Sequence, residues 1–357
     1  MQKFAVAVLL FVVMCAVAAD PTNVVSQLPE MVVTASRLPG QEEVVSKMPA
    51  HVTLVSRPQI QQSPSQTLPE LLSTQPGMQN IDTLGFGLFS SPNMRGYGER
   101  TGVLVLVDGV RVNNPGDSTQ SALWTAIPPQ DIERIEIIRG GGSHVYGEGA
   151  IGGVINIITR KGDKEPSGTA EVAAGNFGYL RGHISGGGAF GAGRAYGSGT
   201  YEEGDGPRDG SAFYKETAQG SLGVTTPWGD LDATVYFHKD RLRNPGNLTY
   251  EQFHKDPTQV GEDGSYLFEN EITRLTFDWK KTFDSGFSFH IKPYAQNYFE
   301  HIWTPATEDF GASEGEINQP SWGITTQLDH VADVLGGQNR ATLGGEFIRQ
   351  DFMSVWR

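Results

Sequence analysis

The chain has 357 residues, a formal net charge of -14, 45 glycines and a single cysteine. That glycine share is about twice the usual one. An acidic chain without a Lys/Arg block repels phosphate, so nucleic acid is excluded as a partner. With Cys15 alone, disulfide and thiolate-metal chemistry are excluded too.

Residues 1–19, "MQKFAVAVLLFVVMCAVAA", read as a secretory signal peptide. Lys3 gives a positive start, Phe4 to Val17 a short apolar core, and Ala16, Ala18 and Ala19 a small-residue cleavage site. The apolar run is too short to span a bilayer, and no later stretch reaches that length. An exported chain of this kind is periplasmic, secreted, or an outer-membrane barrel.

Residues 20–48 carry scattered prolines and no sustained periodicity, as an extended linker does. Within them "EMVVTA", Glu30, Met31, Val32, Val33, Thr34 and Ala35, is a β-prone island. Exposed, it could add as a strand to the edge of a partner's sheet. Otherwise it is the first strand of the next domain.

Residues 49–162 read as an α+β domain large enough for its own core. "HVTLVSRPQI" alternates as a strand. "TLPELLSTQPG" is a short helix, with Thr67 and Glu70 as a capping box, Leu68, Leu71 and Leu72 as its apolar face, and Pro76-Gly77 as its stop. "TGVLVLVDGVRV" is a hairpin turning at Asp108-Gly109. "PPQDIERIEIIRG" turns into a strand ending at Arg139, and "GGVINIITRKG" is another.

Residues 166–357 alternate in polarity between Gly, Pro, Asp and Asn breaks. Leu231, Ala233, Val235 and Phe237 share one face, and Asp232, Thr234, Tyr236 and His238 the other. There are about nine such segments, each near membrane-strand length. Tyr179, Tyr201, Trp228, Tyr294, Tyr298 and Trp303 fall toward segment ends, as interfacial girdles do. Short turns on one side oppose long polar loops on the other. A soluble β-sandwich or propeller is the alternative. The signal segment, the strand length and the loop asymmetry favour a membrane barrel.

Gly147-Glu148-Gly149-Ala150-Ile151-Gly152 matches G-x-G-x-x-G. A dinucleotide loop needs a helix after the glycines, with its N-terminus facing the pyrophosphate. Here β-branched Val154 to Ile158 follows, so the glycines are read as tight turns and close backbone packing. The eight histidines are scattered, and no metal site, cofactor or catalytic constellation is expected. "EGDGPRDG", Glu203 to Gly210, reads as a solvated loop rather than a calcium site.

Taken together, "EMVVTAS", "TLPELLSTQPGM", "NMRGYGERTGVLVLVDGVRVNNP" and "IPPQDIERIEIIRGGGSHVYGEGAIGGVINIITRKG" resemble the TonB-dependent outer-membrane receptors. The resemblance implies an α+β plug followed by antiparallel transmembrane β-barrel strands. The full barrel would have about 22 strands, with the plug inside its lumen. It makes Glu30–Ala35 the TonB box. Arg95, Gly96, Asp108, Gly109, Arg139, Gly140, Gly147, Gly152 and Gly153 become plug structural motifs. Arg95 or Arg139, buried in a lumen, would need carboxylates, and Glu133 and Glu136 are the plug candidates.

The implied partners are a TonB-type energy-transducing protein of the inner membrane, an iron-siderophore or corrinoid ligand, and outer-membrane lipid. "VVTASR" and "RTGVLVLVDGVRVN" lean toward the vitamin B12 subgroup, whereas frequency favours iron complexes. Copper would call for a methionine cluster, and the methionines form none. Gly168 to Arg357 holds under half of such a barrel, so the barrel is expected to be incomplete in this chain. The alternative is then a non-transporting receptor that only binds ligand or serves as a surface docking protein.

Overall fold

A computed structural model describes residues 32–33, 43–44, 51–82, 87, 90–98, 102–113, 122–140, 149–261, 264–306, 311–334 and 337–357. The expected signal peptide lies outside these residues, as do Glu30, Met31, Thr34, Ala35 and Gly147. No described helix is long and apolar enough to cross a membrane, which says nothing of crossing by strands.

The described chain opens with a minimal hairpin. β1 (Val32–Val33) pairs antiparallel with β2 (Glu43–Val44) through Val32↔Val44 and Val33↔Glu43. β3 (His51–Ser56) follows and gives way to α1 (Arg57–Gln62). The strand expected over "HVTLVSRPQI" therefore ends four residues early. Ser56 is the reason. It is extended, and its N–H donates to Gln59 Oε1 at 2.8 Å, which starts the helix, while Pro58 suits the first turn. α2 (Leu68–Ser73) forms as expected. Glu70 N–H donates to Thr67 Oγ1, Thr67 N–H donates to Glu70, and Leu68, Leu71 and Leu72 are buried.

β4 (Met78–Asp82), β5 (Ser90–Met94) and β6 (Tyr97–Gly98) make a small antiparallel sheet. A mixed five-stranded sheet carries the core. It contains β7 (Val103–Val107), β8 (Val110–Arg111), β9 (Ile132–Arg139) and β10 (Gly153–Thr159), in the order β3-β9-β10-β7-β8. β10 runs parallel to β7 and antiparallel to β9. All five residues of β7 are buried, which is why its sequence is an unbroken apolar run.

A second sheet has ten antiparallel strands. They are β11 (Ser167–Ala174), β12 (Leu180–Phe190), β13 (Gly193–Gly204), β14 (Phe213–Thr226), β15 (Gly229–Asn244), β16 (Tyr266–Thr282), β17 (Phe287–Thr304), β18 (Ser313–Val334), β19 (Gly337–Gln350) and β20 (Met353–Trp356). They pair in chain order, with β20 returning to β18. The outer edge of β11 has no partner strand among the described residues.

The polarity of this sheet is inverted. His238 and Asp240 are fully buried, facing the plug side, as are Arg181, His183, Thr217, Asn270, Arg274 and Glu300 to within a few per cent. Their neighbours on the other face are apolar and open, with Leu222 65% and Phe277 50% exposed. A soluble sheet buries its apolar face, whereas a lipid-facing wall around a polar interior does the reverse. The alternation along "DLDATVYFH" is thus realised with its apolar set outward.

The girdle expectation is met only in part. Tyr201, Trp228 and Trp303 are exposed, but Tyr294 and Tyr298 are buried on the inner face at 6% and 1% exposure. Strand parity decides this. In β17 even-numbered residues point inward, so both tyrosines leave the lipid side. Tyr179 is partly buried beside Phe213 and Leu242.

Candidate functional site: the plug against the strand wall

Two plug turns carry the site. At the first, Asp108 and Gly109 both adopt left-handed backbone, φ 51° and 80°, closing β7 onto β8 through Val107↔Val110. This is the two-residue hairpin that Asp-Gly favours. Asp108 is then fixed from three sides. Its N–H donates to Ile157 O at 2.8 Å, and its carboxylate accepts from Thr159 N–H and Oγ1 at 3.0 and 2.7 Å. Its carbonyl accepts from Lys292 Nζ on β17 at 2.8 Å. Lys292 also lies 3.0 Å from Asp278 Oδ2, and His290 bonds the same carboxylate.

At the second turn, Arg95 (φ 56°) and Gly96 (φ 84°) join β5 to β6, and Gly96 N–H donates to Asn93 Oδ1 at 3.1 Å. Arg139 closes β9 and donates to Thr53 Oγ1 at 2.5 Å. Burial first, and the neighbouring Arg95 charge second, make Arg139 less basic than a free arginine. Gly140 lies between the two arginines, with Arg95 Nη1 3.6 Å from where its Cβ would sit.

The carboxylates expected for these arginines are used otherwise. Glu136 pairs with Arg134 at 2.9 Å and accepts from Asn156 Nδ2 at 3.0 Å, and Glu133 lies 3.7 Å from Arg57. Glu136 is three residues from Arg139 and so faces the other side of β9.

Gly152 and Gly153 explain the glycine motif. A Cβ on Gly152 would come within 2.8 Å of Met94 O, and one on Gly153 would run into Met94 Sδ and Ile138 O. β10 follows directly, so among the described residues a strand, and no helix N-terminus, comes after these glycines.

Between these turns the plug is stitched to the wall by polar contacts. Asp131 is 1% exposed, and its carboxylate accepts from Tyr196 Oη at 2.7 Å and Ser198 Oγ at 2.8 Å, both on β13. Burial pushes the Asp131 carboxyl above the ordinary range, against the pull of those two hydroxyls. Arg160 donates to Tyr196 Oη at 3.3 Å, and its carbonyl accepts from Gln219 Nε2 at 3.0 Å. Arg181 donates to Gln130 Oε1 at 2.6 Å. Apolar packing continues across the seam, where Val105, Trp124 and Ile127 share a cluster with Tyr236, Ile272 and Tyr298. Apart from Asp108, Arg139 and the glycines, these contact residues carry no sequence signature. They are single polar residues in alternating strands, paired over long separations.

At the long-loop end of the wall, Arg208 joins two loops by donating to Gly246 O at 2.8 Å and Gln259 O at 3.0 Å. These loops hang from the strand ends opposite the short turns at 191–192 and 227–228.

An α+β domain seated against an inverted, antiparallel strand wall defines a plug-and-barrel membrane protein. Residues 44–154 match the TonB-dependent Receptor Plug Domain family. Over 191 residues the chain is 35% identical to the vitamin B12 transporter BtuB of Vibrio cholerae, covering 54% of this chain and 30% of that protein. Over 151 residues it is 37% identical to the iron-regulated outer membrane virulence protein of Vibrio cholerae, covering 40% of this chain and 22% of that one. The fold superposes on the Pseudomonas aeruginosa receptor FpvA, solved with bound pyoverdine and iron, with a TM-score of 0.75 at 15% identity. That match covers 90% of this chain and 46% of FpvA. The chain thus spans about a third or less of these curated relatives and about half of the solved receptor. Residues 44–154 carry the plug domain of the TonB-dependent receptors, and the chain is similar in sequence to outer-membrane receptors of that kind and in fold to a solved one.

Proposed function

We propose that this chain serves energised uptake of a metal chelate, a corrinoid or a ferric siderophore, across the outer membrane. The observation that carries the reading is the inverted strand wall with a plug held against its polar face. Relatives that transport vitamin B12 or respond to iron support the substrate class. Because an outer membrane holds no ATP or ion gradient, work must reach the plug mechanically.

Val32 and Val33 are the point of entry. They are in extended, paired backbone already, so a TonB-type partner can take the place of β2 by strand exchange. Glu30–Ala35 is then the box, and the Asp108 turn, gripped by Lys292, holds the plug to the wall until it is pulled. Relatives of this chain are transporters and receptors, and no reaction step is assigned to it.

The test is Val33→Pro in a host lacking its own corrinoid and siderophore receptors. Proline removes an N–H from the exchanging strand. Uptake of labelled cobalamin or ferric chelate should stop while surface binding persists. Loss of both, or retention of uptake, would sink the assignment of the box.

A further inference from the structure

On the lipid side of the wall, near its short-turn end, lies an apolar groove of about 660 Å³. That is within the range of about 300–1,000 Å³ that encloses a sizeable ligand. Leu222, Leu231, Ala233, Phe277, Ile291 and Pro293 line it. Sequence makes it concave. In the row Leu222↔Ala233↔Phe277 a small residue stands between two large ones. Beside it, the β16–β17 ladder runs Thr276↔Tyr294 and resumes only at Trp279↔Ile291. The gap falls opposite Pro293, which has no N–H to give.

The groove ends at a basic, aromatic rim. Trp279 Nε1 donates to Trp228 O at 3.1 Å, and Lys281 Nζ donates to Pro227 O at 2.6 Å, so both side chains hold the β14–β15 turn. Lys281 also sits 5.7 Å from the Phe283 ring centre. Trp228 is 81% exposed. Lys281 shares the outward parity of Leu275, Phe277 and Trp279, so its ammonium stands on the lipid side, just beyond the groove. An apolar slot closed at one end by indoles and an ammonium matches an acyl chain joined to a phosphate.

We propose that this groove binds an anionic phospholipid of the periplasmic leaflet. One acyl chain lies over Ala233 and Pro293, and the phosphate lies at Lys281. The inference rests on the membrane reading above, and the experiment separates the two. The full chain is reconstituted into phosphatidylethanolamine vesicles containing a minor fraction of acyl-brominated phosphatidylglycerol or, in parallel, acyl-brominated phosphatidylcholine. Quenching of tryptophan fluorescence is then followed, since bromine quenches on contact and Trp279 borders the groove.

Phosphatidylglycerol should be favoured about fivefold, the contribution of one lysine at the interface. Lys281→Gln should equalise the two lipids. Ala233→Phe, which fills the slot from an outward position, should lower quenching by both. Equal quenching in the parent chain, or a preference that survives Lys281→Gln, overturns the proposal. A chain that fails to float with the vesicles in a density gradient overturns the membrane reading as well.

Discussion

Lys292→Met tests the grip between plug and wall. The lysine is 11% exposed and its partner Asp278 17%, so water screens them little. The substitution keeps an unbranched chain and deletes one charged hydrogen bond to Asp108 O, worth about 1.5–3 kcal/mol. It also removes the Lys292 ammonium from the Asp278 carboxylate and leaves His290 bonded there. Unpairing a buried ion pair costs up to about 3–5 kcal/mol, and His290 offsets part of this. A net loss of about 2–3 kcal/mol follows, or roughly a 30- to 150-fold faster opening, since about 1.4 kcal/mol is tenfold.

The assay is amide hydrogen exchange read by mass spectrometry, on peptides covering the Asp108-Gly109 hairpin. The amides concerned are Asp108 N–H, bonded to Ile157 O, and Val112 N–H, bonded to Val105 O. Their protection should fall by that factor, while β12–β13 protection stays put. Unchanged hairpin exchange in a folded variant would show that the Lys292 contact does not hold the plug. Asp278→Asn should show non-additive loss in the double variant, because the two residues share one interaction.

Leu275→Arg should cost about 2–4 kcal/mol in a bilayer, because the side chain faces mid-belt lipid, whereas Glu271→Arg, four residues up the same face, should cost far less; urea unfolding in vesicles reads the difference. Gly153→Ala should lower the melting temperature through overpacking against Met94 and Ile138, a loss of about 1–3 kcal/mol. Gly96→Ala should cost only its left-handed backbone, about 1–2 kcal/mol, since no atom lies within 4 Å of its added Cβ.

Asp163 supplies a pH prediction. Burial raises its pKa, but hydrogen bonds from Arg57 and Ser167, and the charges of Arg57 and Arg160, outweigh that and hold it below 3.8. Its stabilisation is therefore complete above that value and lost as pH falls through the depressed one. Asp163→Asn should flatten this acid limb in a melting-temperature profile, and an unchanged limb would refute the role.

Much of the plug is legible because its signals are local. Thr67-x-x-Glu70 announces a cap, Asp108-Gly109 a hairpin, and β-branched residues after Gly152 rule out a phosphate-binding helix. The wall's alternation is local as well, so the two faces separate on the page. What sequence does not carry is distance. Lys292 meets Asp108 across 184 positions, and Tyr196 meets Asp131 across 65, with nothing in either neighbourhood to announce the pair. Tyr294 and Tyr298 lie toward the middle of β17 and on its inward parity, so neither reaches a lipid interface. Parity would also have separated Glu136 from Arg139.

The order β3-β9-β10-β7-β8 gives the plug a mechanical asymmetry. On the proposed reading, tension applied at β1 would arrive at β3, an edge strand paired on one side only among the described residues, while the Asp108 turn that Lys292 grips lies at the opposite margin. The sheet is thus a leaf hinged along one border and lifted by the other. Peeling β3 removes Thr53 from Arg139 and breaks six pairings with β9, yet leaves β9, β10, β7 and β8 joined. A modest tug therefore opens a corner beside the two arginines long before it can draw the whole plug out.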